Sequence, residues 1–293
     1  MEIKKGFKFN RIIIIESLGN NDERTGKNLY DNLCGIFGEQ TAEYYYVTNP
    51  DDFFGILDQI EHGTKNSGLM PIIHIEVHGN KEGICLEDRQ AIIWNDIFRP
   101  FREINLAAGN NLMVVLAACY GLSLRNIFAE AGIERAPVYA VLGPDREVEP
   151  FEIKTFFKDF YKKLFDSLNP AEALNTSSYN ITEKVFEMHD CISIFSAAYL
   201  KYVNNNVKNE TDRKKRTAKI IEDFEKEKSV KIESYKRKEF ENYIESRLLN
   251  GEYDFDRIKK RYFMINEFPE NGSRFNIFYN DIENLSSILM SSG

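Results

Sequence analysis

Short apolar runs alternate with helix-like stretches along the first part of the chain. Residues 11–16 contain a run of isoleucines that is too short for a helix and too uniformly apolar for a half-exposed strand. A loop rich in Gly, Asn and Asp follows at 17–26, and residues 27–37 then carry apolar side chains at helical spacing. This succession of strand, loop and helix is typical of βαβ units, in which the strands are parallel.

The same alternation predicts the rest of an α/β fold, with a mainly parallel sheet flanked by helices. Apolar runs and turn residues indicate strands at 42–47, 70–77, 112–118 and 137–142. They indicate helices at 51–60, 94–104, 123–131 and 151–168, with Ser123 as an N-cap, and a hairpin at 83–87 and 91–93. We therefore expect one α/β domain that covers residues 1–182.

The chain changes character after residue 182, where long charged stretches replace the short apolar runs. Residues 186–207 fit an amphipathic helix, although the first part of this segment could also be a short strand. Residues 212–245 mix charged side chains with apolar ones at mostly helical spacing, which predicts long helices. Residues 251–263 and 268–289 form the last segment, with a turn at 269–272 and a strand or packing arm at 275–279. We expect residues 183–293 to form a mostly helical extension packed on the first domain.

Composition narrows the classes of function. With 293 residues, of which 43% are hydrophobic, the chain can bury a proper core. A net charge of -8 argues against general binding to nucleic acid or to a membrane surface. No stretch approaches the roughly 18 apolar residues of a membrane span, and the N-terminus is charged. We therefore expect a cytoplasmic protein with no membrane and no nucleic-acid partner.

The cysteines argue for a reducing compartment. Cys34, Cys85, Cys119 and Cys191 are far apart in sequence and form neither a CxxC pair nor a dense disulfide framework. We expect reduced thiols. The spacing of the cysteines and histidines also predicts no metal site, and no motif indicates a cofactor.

Two predicted strands end in residues that can carry chemistry. Cys119 follows the apolar run at 112–118, and His78 follows the run at 70–77. The C-terminal ends of parallel strands lie at one edge of the sheet, where open α/β folds bind their ligands. If the two strands are neighbours, the thiol and the imidazole lie close together. A lone cysteine at this place could also simply end a core strand.

A thiol beside an imidazole is a nucleophile with its own proton acceptor. A free cysteine is only a few per cent thiolate at neutral pH, and a neighbouring histidine can take its proton and later protonate an amine leaving group. Gly79 lets a substrate carbonyl approach the backbone closely, so its N–H and that of Cys119 are candidates for an oxyanion hole. The pair therefore favours cysteine-dependent acyl transfer.

His74 and Glu76 alternate with His78 along one predicted strand and therefore share its face. A metal site on this strand is the less favoured interpretation, because the other cysteines and histidines show no consistent ligand spacing. We expect His74 to be a hydrogen-bonded core residue behind His78. Glu76 is a candidate partner that orients the imidazole.

Taken together, these motifs resemble the caspase-like cysteine peptidases, in particular their bacterial relatives with CHAT domains. The resemblance covers roughly residues 10–180 and rests on a strand ending in His78-Gly79, a hairpin holding Gly83, and a strand ending in Ala118-Cys119-Tyr120-Gly121. It implies a caspase-like α/β fold with His78 as general base and acid, Cys119 as nucleophile and the Gly79 backbone in the oxyanion hole. It also implies a protein substrate and control by a partner protein or by oligomerisation, frequently in bacterial defence.

The residues around the nucleophile differ from the caspase signature. Caspases have Gln before Ala-Cys, whereas Ala117 stands there and Tyr120 follows the cysteine, so strict aspartate specificity does not follow. Arg24, in the loop after the first strand, resembles the position from which caspases supply a pocket arginine and would favour an acidic substrate side chain. Asp145, after the strand at 137–142, could instead line a pocket for Lys or Arg. The sequence leaves both specificities open.

We therefore predict a cysteine endopeptidase that cleaves a protein partner through an acyl-enzyme at Cys119. The main alternative is a catalytically inactive module, in which the same sheet edge binds a partner and the His–Cys pair has no chemical role. A nucleotide-binding domain ranks lower, because the loop at 17–21 has neither GxGxxG nor a P-loop lysine pattern.

Overall fold

A mainly parallel sheet of eight strands forms the centre of the structure, a computed structural model that describes residues 6–249 and 254–282. The strands are β1 (Arg11–Ser17), β2 (Ala42–Tyr46), β3 (Pro71–Gly79), β4 (Gly83–Cys85), β5 (Ala91–Ile93), β6 (Met113–Ala117), β7 (Ala140–Pro144) and β8 (Phe186–Asp190). Six of them lie in the order β2-β1-β3-β6-β7-β8, and neighbours are parallel except β7 and β8. The predicted hairpin is β4 and β5, and β4 also pairs antiparallel with the end of β3.

Helices cover both faces of this sheet, and further helices follow in the later part of the chain. They are α1 (Thr25–Phe37), α2 (Pro50–Ser67), α3 (Trp94–Ala107), α4 (Leu124–Glu130), α5 (Pro150–Ser167), α6 (Pro170–Thr176), α7 (Ser178–Glu183), α8 (Cys191–Tyr202), α9 (Glu210–Lys228), α10 (Ser234–Leu249), α11 (Phe255–Tyr262) and α12 (Asn271–Arg274). Side chains of α2, α3 and α4 pack on one face, and those of α1, α5 and α6 pack on the other. The predicted α/β class is confirmed, and the arrangement is consistent with a caspase-like fold.

Burial on two faces explains why the central strands lack polar alternation. In β1, Ile13 and Ile15 belong to the same apolar cluster as α2 and α3, whereas Ile12 and Ile14 belong to the cluster of α1 and α5. All four side chains are at most 1% exposed. A strand that is covered on both faces gains from apolar side chains at every position, and this produces the run of isoleucines.

One local prediction was wrong, and two others in the later part of the chain were confirmed. Ser123 does not cap α4, because its backbone is helical (φ -58°, ψ -24°) and its side chain makes no capping hydrogen bond. A 3-10 turn at Gly121–Ser123 leads directly into the helix, so no extended cap residue precedes it. The turn predicted at 269–272 is present, since the Gly272 N–H donates to the Pro269 carbonyl, and the short helix α12 begins within it. The segment after it is a packing arm in which Phe275 and Ile277 are buried.

The region after residue 182 is joined to the sheet. The first part of the segment at 186–207 is the strand β8, which adds to the sheet beside β7 before α8 begins. Further along, the Tyr262 carbonyl accepts a hydrogen bond from the Ala136 N–H, and the Arg274 guanidinium donates to the Gly109 and Asn110 carbonyls. The division between residues 182 and 183 stays a prediction, but the sheet itself continues past it.

The predicted helices of the extension are largely present. Residues 212–245 cover most of α9 and α10 and the connection between them at 229–233, and the two helices form a hairpin around a small apolar cluster. The parts of the predicted segments at 251–253 and 283–289 lie outside the described residues. Across residues 6–249 and 254–282, no helix combines the length and the apolar character that a membrane crossing requires.

The contact between β8 and α5 provides a test of whether β8 belongs to the core. Phe186 is 1% exposed, and its ring stacks on that of Phe156 with centroids 4.0 Å apart. We expect Phe186→Ala to lower the free energy of unfolding by about 3–5 kcal/mol, measured by denaturant titration, because it leaves a cavity between the sheet and α5. Phe151→Ala is the matched control, since Phe151 is 59% exposed and lies on α5, the helix that Phe186 contacts. Equal effects of the two changes would contradict the packing described for β8.

Candidate active site

The ends of β3 and β6 bring the two predicted reactive residues to one place. The strands are neighbours and parallel, with Glu76 opposite Ala117 in the register. His78 is the last residue but one of β3, and Cys119 lies two residues after the end of β6. Both residues line one cavity of about 240 Å³ at the C-terminal edge of the sheet. The predicted proximity of the two strand ends is therefore present in the structure.

Gly79 packs directly against the backbone of the cysteine. A Cβ at this position would lie 2.7 Å from the Cys119 carbonyl oxygen and 3.0 Å from the Ala118 Cβ. Only glycine permits such a close approach without moving the chain. The Cys119 N–H donates to no acceptor within the described part of the chain. An N–H without a partner at this place can donate to the oxyanion of a tetrahedral intermediate.

The His78 imidazole is held by Asp22, a residue that the sequence did not single out. The Nε2 atom of His78 lies 3.0 Å from Oδ2 of Asp22. This hydrogen bond is the main reason why the pKa of Asp22 lies below its usual value, and a further hydrogen bond from the Gly19 N–H lowers it as well. Asp22 belongs to the loop between β1 and α1. The sequence feature that could have identified this residue is its place after a strand adjacent to β3.

The thiol of Cys119 contacts a backbone carbonyl in this structure. Its Sγ lies 3.8 Å from the Val148 carbonyl oxygen, in the loop between β7 and α5. The next residue, Tyr120, has a left-handed backbone (φ 56°), and its N–H donates to the Arg146 carbonyl. Cys119 and His78 therefore share a cavity, but each side chain makes its hydrogen bond with a different loop.

His74 and Glu76 form a buried pair beneath the cavity. The Nε2 atom of His74 lies 2.9 Å from Oε1 of Glu76, and Nδ1 of His74 lies 2.9 Å from the Tyr161 hydroxyl. His74 is thus a hydrogen-bonded core residue. Glu76 does not hydrogen-bond the His78 imidazole: its second oxygen accepts from the Thr25 hydroxyl, because the carboxylate is buried while His78 reaches out to the exposed loop.

The two pocket candidates lie outside the lining of the cavity. The Arg24 guanidinium is 3.7 Å from a carboxylate oxygen of Glu16 and stacks over the Tyr46 ring at 4.0 Å. Asp145 follows β7 directly and is 3.4 Å from the Arg125 guanidinium. Neither side chain is among the described residues that surround the cavity. In this structure both charges are satisfied by their own neighbours.

An ion pair fixes the loop that faces the thiol. The Arg146 guanidinium is 2.6 Å from the Glu152 carboxylate, which also accepts hydrogen bonds from the Tyr179 hydroxyl and the Glu149 N–H. These contacts, led by the Arg146 hydrogen bond, lower the pKa of Glu152 to about 2. The loop between β7 and α5 is therefore anchored on both sides of Val148.

The remaining cysteines and histidines form no second candidate site within the described residues. Cys191 is buried, and Cys34 and Cys85 are partly buried free thiols. His189 contacts the Arg125 guanidinium at 2.8 Å, and Asp190 caps α8. Within residues 6–249 and 254–282, no group of three His, Cys, Asp or Glu side chains is arranged to hold a metal ion.

Comparison with known proteins adds no family to this description. The chain matches no protein-family model, and a search of the curated proteins finds no match either. The caspase-like resemblance rests on the motifs of the sequence and stays a prediction.

The Gly79 contact leads to a direct test of the site. We expect Gly79→Ala to slow alkylation of Cys119 by a peptidyl electrophile by roughly tenfold or more, because the new methyl group displaces the cysteine backbone from its position. Mass spectrometry of the Cys119 peptide measures the rate. Gly55→Ala is the control, since a Cβ at Gly55 meets nothing within 4 Å and the change leaves the site alone. Unchanged alkylation of the Gly79 variant would show that the contact is not needed.

The Glu152 ion pair predicts a pH-dependent contribution to stability. A carboxylate whose pKa falls from 4.5 to about 2 on folding stabilises the protein above pH 4.5 and loses that contribution as the pH falls toward 2. We expect Glu152→Gln to lower the free energy of unfolding by roughly 1–3 kcal/mol at pH 7. The difference from the unchanged protein should shrink between pH 4.5 and pH 2 in urea titrations. A difference that stays constant over this range would exclude the ion pair as its source.

Proposed function

We propose that this protein is a cysteine endopeptidase in which Cys119 is the nucleophile and His78 is the general base and acid. The observation that carries the proposal is the contact of Gly79 with the Cys119 backbone, which fixes the two strand ends against each other. A thiol, an imidazole and an unpaired backbone N–H around one cavity supply the three parts that acyl transfer needs. The resemblance to caspase-like peptidases agrees with this assignment.

Acylation follows from these positions. The Cys119 thiol gives its proton to His78, and the sulfur attacks the carbonyl carbon of a peptide bond, so that a C–S bond forms and the π electrons move to the oxygen. The Cys119 and Gly79 N–H groups stabilise this oxyanion. When it collapses, the C=O bond re-forms and the C–N bond breaks. The leaving nitrogen takes the proton from His78 and departs as an amine, and a thioester remains.

Hydrolysis of the thioester restores the enzyme. A water molecule gives one proton to His78 while its oxygen forms a bond to the thioester carbon. The second tetrahedral intermediate collapses, the C–S bond breaks, and the sulfur leaves with the proton held by His78. The product is a carboxylic acid, and no redox partner or cofactor takes part in either half of the reaction.

Asp22 has a positioning role in this scheme. Because Nε2 of His78 is bonded to Asp22, Nδ1 is the ring nitrogen that exchanges the proton with the thiol. The carboxylate also favours the imidazolium that forms after proton transfer. The proposal thus extends the predicted dyad by a third side chain, supplied by the loop between β1 and α1.

The proposal also includes the substrate, the control, the pathway and the cellular location of the enzyme. A protein substrate, control by an activating or inhibiting partner or by oligomerisation, and a place in bacterial defence or signalling accompany the resemblance to CHAT-domain peptidases. A cytoplasmic location agrees with four free thiols, because reducing compartments keep cysteines unpaired.

One observation favours the alternative of a binding module without catalysis. In this structure His78 bonds to Asp22 and Cys119 contacts the Val148 carbonyl, so that both side chains are engaged with loops. A module that only binds a partner at this edge needs no proton transfer between the two residues. The test below separates the two functions.

Covalent labelling tests the proposed function. We expect a thiol-directed peptidyl electrophile to modify Cys119, His78→Ala to slow this labelling by roughly 100-fold or more, and Asp22→Asn to slow it by roughly tenfold. Cys85→Ser is the sharpest control, because Cys85 lies opposite His78 in the β3–β4 pairing but outside the cavity. Labelling that is unaffected by His78→Ala, or that falls mainly on Cys85, would support the binding module.

A further inference from the structure

The hairpin of α9 and α10 keeps a large part of its apolar surface exposed. The two helices have 19 and 16 residues, yet the apolar side chains buried between them in the described part of the chain are only Ile221, Ile244 and Leu248. Beside this small core lies a groove of about 420 Å³, whose walls include Phe224 of α9 and Phe240 of α10. Two helices with so small a common core gain stability when another apolar surface covers such a groove.

One face of the hairpin carries a regular row of six side chains, the α10 stripe. Its members are Ile232, Tyr235, Lys236, Glu239, Phe240 and Tyr243. Successive steps of three and one residues keep side chains on one side of a helix, and Ile232, which precedes α10, lines the same groove. Tyr235 and Tyr243 are 72% and 56% exposed. The α10 stripe therefore faces the groove and the solvent.

The order of residues in the α10 stripe is self-complementary. A lysine and a glutamate stand at its centre, an aromatic residue flanks each of them, and a further apolar or aromatic residue stands at each end. When two such helices lie antiparallel, each position meets the one that is equally far from the opposite end. The pairs that then meet are Lys236 with Glu239, Tyr235 with Phe240, and Ile232 with Tyr243. Each cation thus faces an anion, and each apolar or aromatic side chain faces another.

The two central charges can pair between copies at little cost. Lys236 lies 3.8 Å from Glu233, but both side chains are 62% exposed, and ion pairs of this kind contribute little to stability. Glu239 has no ion-pair partner among residues 6–249 and 254–282. Because a two-fold axis repeats every contact, an antiparallel pair of α10 helices gains two Lys–Glu contacts at once.

We propose that the α10 stripe joins two copies of this chain about a two-fold axis, with their α10 helices antiparallel and Lys236 of each copy beside Glu239 of the other. Tyr235 of one copy then lies against Phe240 at the groove of the other, and aromatic side chains are enriched at the centres of protein interfaces. The contact is small, so we expect a dissociation constant in the micromolar range. It goes beyond the proposed function, since it needs no catalytic step.

Sedimentation velocity of the full chain at increasing concentration tests this dimer. We expect mostly monomer at roughly 1 µM and mostly dimer at roughly 100 µM. Lys236→Glu or Glu239→Lys alone places like charges opposite each other twice in each dimer, and we expect either change to raise the dissociation constant by roughly tenfold or more. Lys238→Glu is the matched control, because it makes the same change of charge on α10 outside the α10 stripe and should leave the constant unchanged.

A mixture of the two single variants gives the sharpest test. In a mixed dimer one copy has two acids at the centre of the α10 stripe and the other has two lysines, so every facing pair again has opposite charges. We expect the equimolar mixture to dimerise about as well as the unchanged chain, although neither variant does so alone. A folding defect cannot produce this rescue, because mixing does not restore a misfolded chain.

Three results would overturn the proposal. The first is a chain that stays monomeric at roughly 100 µM, which leaves the groove to a different partner. The second is a dimer that both single variants leave unchanged, which places the contact between copies at another surface. The third is a dimer that the single variants weaken but their mixture does not restore, which excludes the antiparallel pairing of α10.

Discussion

The parallel pairing of β3 with β6 is the constraint on which the candidate site depends. It places Glu76 opposite Ala117 and so brings His78, Gly79 and Cys119 to the same edge of the sheet. Side chains alternate along a strand, so a shift of one residue would turn His78 toward the opposite face and separate it from the loop of Asp22. The apolar side chains that fix this register are buried on both faces and have no catalytic role. The chemistry is thus positioned by the core.

Buried acids connect that core to the loop between β1 and α1. Glu16 accepts hydrogen bonds from the Gly26 N–H and the Tyr44 hydroxyl, and Glu76 accepts from Thr25. Both acids lie at corresponding positions of β1 and β3, and the contacts of their carboxylates hold the start of α1. Since Asp22 precedes this helix, its position beside His78 depends on carboxylates that never touch the imidazole.

The parts of the molecule that could be predicted are those decided by local pattern. The isoleucines of β1 and the apolar run before Cys119 identify buried parallel strands, because burial on two faces leaves no polar alternation. The ends of these strands then indicate where reactive side chains meet. Asp22 was missed because its role depends on a contact across 56 residues, and nothing in a Gly- and Asn-rich loop distinguishes one acid from another. The sequence of β8 fits a strand and a helix equally, since five residues with one buried aromatic satisfy both patterns.

Glu76 serves the core and the candidate site together. Its carboxylate accepts a hydrogen bond from the Thr25 hydroxyl and lies 2.9 Å from Nε2 of His74, whose Nδ1 lies 2.9 Å from the Tyr161 hydroxyl. Buried polar atoms are costly unless they find hydrogen-bond partners, and these contacts supply them. Because Glu76 also lines the cavity of His78 and Cys119, the network that joins β3 to α1 and α5 forms the inner wall of that cavity. The side chains that hold the sheet to its helices on this face are therefore the same ones that shape the site.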